Sequence, residues 1–225
     1  MARTRSSAAL ATAAAALTAV IAAAPASAAP VHTVPHQIPP AAAVTRDIDD
    51  VPCDRHLAAG ATFHANGATY TTDAHGRPVS AAADNLTASV ADRGPCQRKV
   101  GHMADAPGYD GGHLIAATLH GVDERYDLVP QWASVNRGIY EKMEAGSKRC
   151  LKAPGGRITH YRIHLTYPDT TTLVPDLYNT DVAVDTADHP EQTIRLTIPN
   201  RALTANEYGK LRGELERRLT AAGCD

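Results

Sequence analysis

The sequence predicts an α+β domain built mainly on antiparallel strands, with one helix in mid-chain and another at the C-terminal end. Three patterns predict it. Residues 157–167 (RITHYRIHLTY) alternate, with Tyr161, Ile163, Leu165 and Tyr167 facing one way and His160, Arg162 and His164 the other. That is the period of a half-buried antiparallel strand. From about 134 to 147 the period changes, and Val135, Ile139 and Met143 recur at every fourth position, the spacing of one helix face. The remaining strand-like runs are not each followed by a helix, which argues against a βαβ sheet.

At the start of the chain, Arg3 and Arg5 precede an alanine-dominated apolar run from 8 to 24, and Pro25-Ala26-Ser27-Ala28 supplies a small-residue A-x-A site. Residues 1–28 therefore read as a secretory signal peptide, cleaved near Ala28 to release the protein outside the cell. A membrane anchor is disfavoured because the run is marginal in length and alanine is only weakly apolar. No later stretch approaches about 18 continuous apolar residues, so no membrane partner is expected. Residues 29–50, rich in Pro, Ala and Val, show neither period and read as a linker or pro-segment. Residues 51–225 are one domain's worth of chain.

Within that domain, residues 62–72 (TFHANGATYTT) predict a hairpin turning at Asn66-Gly67. Residues 73–78 (DAHGRP) predict a second turn leading into another extended piece. Residues 97–101 lead into the middle of the chain, where Leu114, Ile115 and Ala116 predict a short strand just after His113. Short strands are expected over 171–178, 181–184 and 193–198. Thr204-Ala205-Asn206-Glu207 is a capping-box pattern that opens the last helix, with Leu211, Leu215 and Leu219 inward.

Cys53, Cys96, Cys150 and Cys224 form an even set in an exported chain, which predicts two disulfides. Three pairings exist and spacing does not choose among them; Cys53–Cys96 with Cys150–Cys224 is the expectation. No C-x-x-C pair occurs, so a cysteine zinc site is not expected. Loss of Arg3 and Arg5 with the signal takes the net charge from -2 to about -4. A slightly acidic chain is not an obvious nucleic-acid binder, but an enzyme needs positive charge only at its site.

The stretch from 109 to 144 (YDGGHLIAATLHGVDERYDLVPQWASVNRGIYEKME) concentrates the chemistry. Metal-assisted hydrolysis of a phosphodiester needs a base for water and positive charge beside the phosphate. His113 follows two glycines that let backbone approach a ligand closely, and imidazole titrates near neutrality. Asn136 offers an amide oxygen of the kind a mostly hydrated Mg²⁺ accepts. Glu144, two helical turns on, suits a supporting role around the cation's waters. Arg137, Lys142 and Lys148 are the candidate phosphate contacts, in a stretch with more bases than acids. Trp132 reads as packing rather than as a base-stacking platform. His102, His120 and His189 lack a partner at ligand spacing and read as surface or loop residues.

Taken in order, DGGHLIA (110–116), DLVPQ (127–131) and NRGIYEKME (136–144) resemble the DNA/RNA non-specific endonucleases. These are the ββα-metal, or His-Me finger, nucleases, and the closer likeness is to the secreted bacterial branch with a DGGH motif. Upstream, TYTTDAHGRPVSA resembles that branch's lead-in, so the likeness runs from about 70 to 152. The resemblance implies a ββα-metal finger core and a Mg²⁺ cofactor that Mn²⁺ replaces. It further implies hydrolysis of DNA, with RNA as a second substrate, to 5′-phosphate ends. It places His113 on the general base, Asn136 on the metal ligand and Glu144 on the acid supporting the metal's waters. Asp110 falls on the acid that opens the motif. Two positions depart: Gly111 stands where many members have arginine, and Asp127 stands where the turn usually has asparagine. Two alternatives share the residues: a toxin neutralised by a cognate inhibitor protein, and an inactive nucleic-acid-binding relative.

Overall fold

Asn66-Gly67 makes the first hairpin turn of the computed structural model, which describes residues 53–90 and 94–225. The predicted signal peptide and linker, residues 1–28 and 29–50, lie outside the described residues. Both turn residues have positive φ, 48° and 79°, as the tight turn of a twisted hairpin requires. The turn joins β1 (Thr62–Ala65) to β2 (Ala68–Thr72).

The next turn is held by Asp73, whose carboxylate accepts from the N–H of His75 (2.8 Å) and of Arg77 (2.9 Å). It also pairs with the Arg77 guanidinium at 2.6 Å. That guanidinium, nearly fully buried, donates to the carbonyls of Asp169 and Thr172 and lies 3.9 Å from the centre of the Tyr167 ring. Arg77 thus stitches the start of β3 (Pro78–Leu86) to the loop after β6 (Arg157–Thr166).

Those strands continue through β7 (Leu177–Asp185) and β8 (Gln192–Pro199) into a six-stranded antiparallel sheet, order β1-β2-β3-β6-β7-β8. Ile158, Tyr161, Ile163 and Leu165 of β6 are buried while Arg162 and His164 are exposed, the alternation read from sequence. β4 (Tyr109–His113) and β5 (Leu128–Trp132) form a separate two-stranded sheet. The helices are α1 (Pro95–His102), a short α2 (Ala133–Val135), a π-helical turn (Asn136–Tyr140), α3 (Glu141–Lys152) and α4 (Ala205–Ala221). The main core is apolar and aromatic, with Tyr70, Tyr140, Tyr161 and Tyr178 among its fully buried members. No helix among the described residues is long and apolar enough to cross a membrane.

Four expectations need correction. Residues 97–101 are not a lead-in but part of α1, whose first N–H groups are capped from a distance: Cys96 and Gln97 donate to the Asp123 carboxylate at 3.0 and 2.8 Å. Residues 114–116 form a buried bend rather than a strand, because β4 ends at His113. Residues 171–176 are a loop, since Asp169 draws back the N–H of Thr171 and of Thr172. The expected pieces at 178 and 181–184 are one strand, β7. Its buried Thr180 hides the apolar alternation, and its hydroxyl accepts from the N–H of Leu196 at 3.1 Å.

Both ends of the helical layer are fixed. The Thr204–Glu207 capping box forms at the start of α4. Leu215 and Leu219 are buried, with Leu211 half-buried against the core. Disulfides join Cys53 to Cys96 and Cys150 to Cys224. The second closes α3 onto the C-terminal end of the chain, beside the Arg149–Glu216 pair at 2.7 Å.

Candidate active site

Glycine decides how the site is assembled. α1 lies against β4 so closely that a Cβ on Gly111 would sit 1.9 Å from the carbonyl oxygen of Gln97. The Gln97 amide also donates to the carbonyl of Gly111 at 3.0 Å. No side chain fits at 111, which accounts for the missing arginine there. On Gly112 a Cβ would meet the buried Gln131 side chain at 2.1 Å. Two bare positions therefore let β4 pass between α1 and β5 and bring His113, only 7% exposed, to the end of the strand.

The loop after His113 is held by the other departure. Asp127 is fully buried, and its two carboxylate oxygens accept from the N–H of Ile115 and of Val122, each at 2.8 Å. Burial pushes this carboxyl well above the usual carboxylate range, against the lowering pull of those N–H groups. Asp127 does not line the cleft described below, so its carboxylate organises backbone. Asp127→Ala would leave the buried Ile115 N–H and the part-buried Val122 N–H unpaired, and a loss of about 2–4 kcal/mol is expected. Urea unfolding measures it, and a loss under about 1 kcal/mol would remove Asp127 from this role.

Asn136 and Glu144 come from the helical segment after β5, but not from one regular helix. The segment kinks at Gly138 (φ -116°, ψ -108°). Tyr140, which helical spacing places on their stripe, is fully buried instead and donates its hydroxyl to the Leu114 carbonyl at 2.9 Å. Asn136 and Glu144 nevertheless line the same cleft, of about 560 Å³, with Asp110, His113, Arg137 and Glu141.

Asp110 sets the orientation here. Its carboxylate accepts from Asn136 Nδ2 at 3.0 Å and from Arg137 Nε and Nη2 at 2.8 and 2.6 Å. A carboxylate can only accept, so the Asn136 nitrogen must face it and the amide oxygen points away. Asn136 and Glu144 thus bring an amide oxygen and a carboxylate to the lining of one cleft, donor types that suit a hard divalent cation. Among the described residues no three His, Cys, Asp or Glu side chains cluster to hold a metal.

The predicted phosphate contacts fare differently. Arg137 lines the cleft, but Asp110 hydrogen-bonds and neutralises it, raising its pKa above the ordinary guanidinium value. Lys142 and Lys148 do not line it. Trp132 packs edge-on to Tyr109, ring centres 5.1 Å apart. His102, read from sequence as a surface or loop residue, is exposed but helical and lines the cleft from α1, as do Gln97 and Arg98. The sequence reading missed this wall because it missed α1. The available signal was Pro95, a residue favoured at the first position of a helix.

One family model, DNA/RNA non-specific endonuclease, matches residues 60–186, more than half of the chain and the part that holds this hairpin and the helical segment after it. The chain belongs to the DNA/RNA non-specific endonuclease family. Two curated relatives, the type VII secretion system protein EssD from Staphylococcus aureus strains USA300 and NCTC 8325 / PS 47, are each 40% identical over 77 residues, 34% of this chain. The match spans only 12% of the length of each. Among solved structures, magnesium-bound NucA from Streptococcus agalactiae aligns at TM-score 0.48 and 21% identity, over 65% of this chain and 75% of that one. A chain from the EndoG/EndoGI complex aligns at TM-score 0.48 and 16% identity, over 64% and 75%.

Proposed function

We propose that this chain is a secreted endonuclease that hydrolyses phosphodiester bonds of DNA, with RNA as a second substrate, using His113 as general base and Mg²⁺ on Asn136. The observation that supports the reading is the clamp of Asp110 on the Asn136 amide nitrogen, which leaves the amide oxygen out of that contact in a cleft that His113 also lines. Family membership supplies the reaction class.

In this mechanism His113 accepts a proton from the water that attacks phosphorus. The bond from phosphorus to the 3′ oxygen breaks, that oxygen takes a proton from a water to become a hydroxyl, and the phosphate stays on the 5′ side. The Asn136 amide oxygen would hold the cation, and Glu144 would accept hydrogen bonds from waters of its shell. A divalent cation there supplies positive charge beside the phosphate and the leaving oxygen. Asp110 touches neither water nor phosphate in this scheme; it holds Asn136 and Arg137 in place. The two disulfides suit export to an oxidising compartment, with residues 51–225 as the nuclease domain after removal of 1–28.

The test is end-group analysis of the products. Nucleic acid cut by the purified chain should carry 5′-phosphates that ligase accepts without kinase treatment. Ends that need kinase would overturn the assigned direction of cleavage. The likeness to EssD, a secretion-system protein, favours one second reading, a toxin neutralised by an inhibitor protein. A small neighbouring gene whose product blocks cleavage would support it.

A further inference from the structure

α1 contributes Gln97, Arg98 and His102 to the lining of the cleft. We propose that Arg98, from α1, binds the phosphate backbone of the substrate across the cleft from Asn136, so that the strand being cut lies between α1 and α3. This rests on the phosphodiester reading above.

The described lining residues include two arginines and no lysine, set against Asp110, Glu141 and Glu144. Arg137 is taken by Asp110, which receives both of its hydrogen bonds. Position 111 cannot carry a side chain, because the Gln97 carbonyl occupies the space. That leaves Arg98, which is exposed, lines the cleft, and makes no hydrogen bond or ion pair with the described residues. An unsatisfied guanidinium at an acidic cleft is suited to a phosphate, which it can grip with two parallel N–H groups.

The backbone under Arg98 is held from three sides. The Cys53–Cys96 disulfide ties the first turn of α1. Asp123 caps the same turn. The Gln97 amide bonds Gly111 beside the site. The side chain is therefore presented from a fixed point while its own end remains available to a ligand. His102, one turn further along α1, continues the same wall.

The experiment compares wild type with Arg98→Ala, Arg98→Lys and, as control, Arg162→Ala, an exposed arginine on β6 outside the cleft. Cleavage kinetics are measured on a DNA duplex with Mg²⁺. Binding is measured in the His113→Ala background by fluorescence anisotropy across a salt series. Arg98→Ala should lower kcat/KM about 10- to 100-fold, mainly through KM, with the lysine variant recovering part. The salt slope of binding should fall by about 0.9. Equal kinetics and slope for Arg98→Ala and Arg162→Ala, with wild type active, would overturn the role of Arg98 alone. If wild type neither binds nor cuts, the phosphodiester reading itself fails. A melting temperature lowered in step with activity would assign Arg98 to the fold and also overturn the proposal.

Discussion

His113→Ala should lower the rate of DNA cleavage by about 10²- to 10⁴-fold while leaving DNA binding and the melting temperature close to wild type. The size follows from what a positioned base contributes to proton transfer. The selectivity follows from where His113 sits. It is the last residue of β4, and its backbone pairing with Leu128 does not depend on the side chain. The imidazole is 7% exposed and faces the cleft, so truncation opens the cleft rather than the main core. No concentration of Mg²⁺ should restore the rate, because the missing function is a proton acceptor. Cleavage by the variant at more than about a tenth of the wild-type rate would remove His113 from that role.

Asn136→Ala should cost about 10²-fold or more in rate, and here extra cation should recover part of the loss. The amide does two things. Its nitrogen donates to Asp110 at 3.0 Å, and in the proposed mechanism its oxygen would hold the cation. Alanine removes both, so the half-saturating concentration of Mg²⁺ or Mn²⁺ should rise. Asp110 keeps Arg137 as a partner, so the fold should survive and the variant should melt near wild type. An unchanged cation dependence in Asn136→Ala would place the metal elsewhere. The contrast between the two variants, one rescued by cation and one not, separates the proton acceptor from the ligand.

Much of this was legible where the signal is local. The Asn66-Gly67 turn, the Thr204–Glu207 capping box and the alternation of β6 each sit within a few neighbouring residues, and each is in the structure. The grouping of His113, Asn136 and Glu144 was legible because one element places each of them. The kink at Gly138 was not, since a single glycine in a helical pattern is ambiguous. Both disulfide pairings were expected although their partners are distant, but other features set by a distant partner were missed. α1 takes its cap from Asp123, 26 residues on. Arg137 reads as a free cation until β4 brings Asp110 beside it. Gly111 was visible as a departure, but its cause lies in the Gln97 carbonyl, which sequence does not place. Asp127 was likewise visible only as a departure, and the two N–H groups that it accepts from give it a backbone role.

The central claim is that the cleft lined by His113, Asn136 and Glu144 cuts phosphodiester bonds with a divalent cation. The most direct measurement is the cleavage of supercoiled plasmid by the purified chain beginning at Ala29, with Mg²⁺ and then with excess EDTA. The account predicts nicked and linear products that accumulate with Mg²⁺ and are abolished by EDTA. Plasmid left intact with both Mg²⁺ and Mn²⁺, or cut equally well in EDTA, would contradict it.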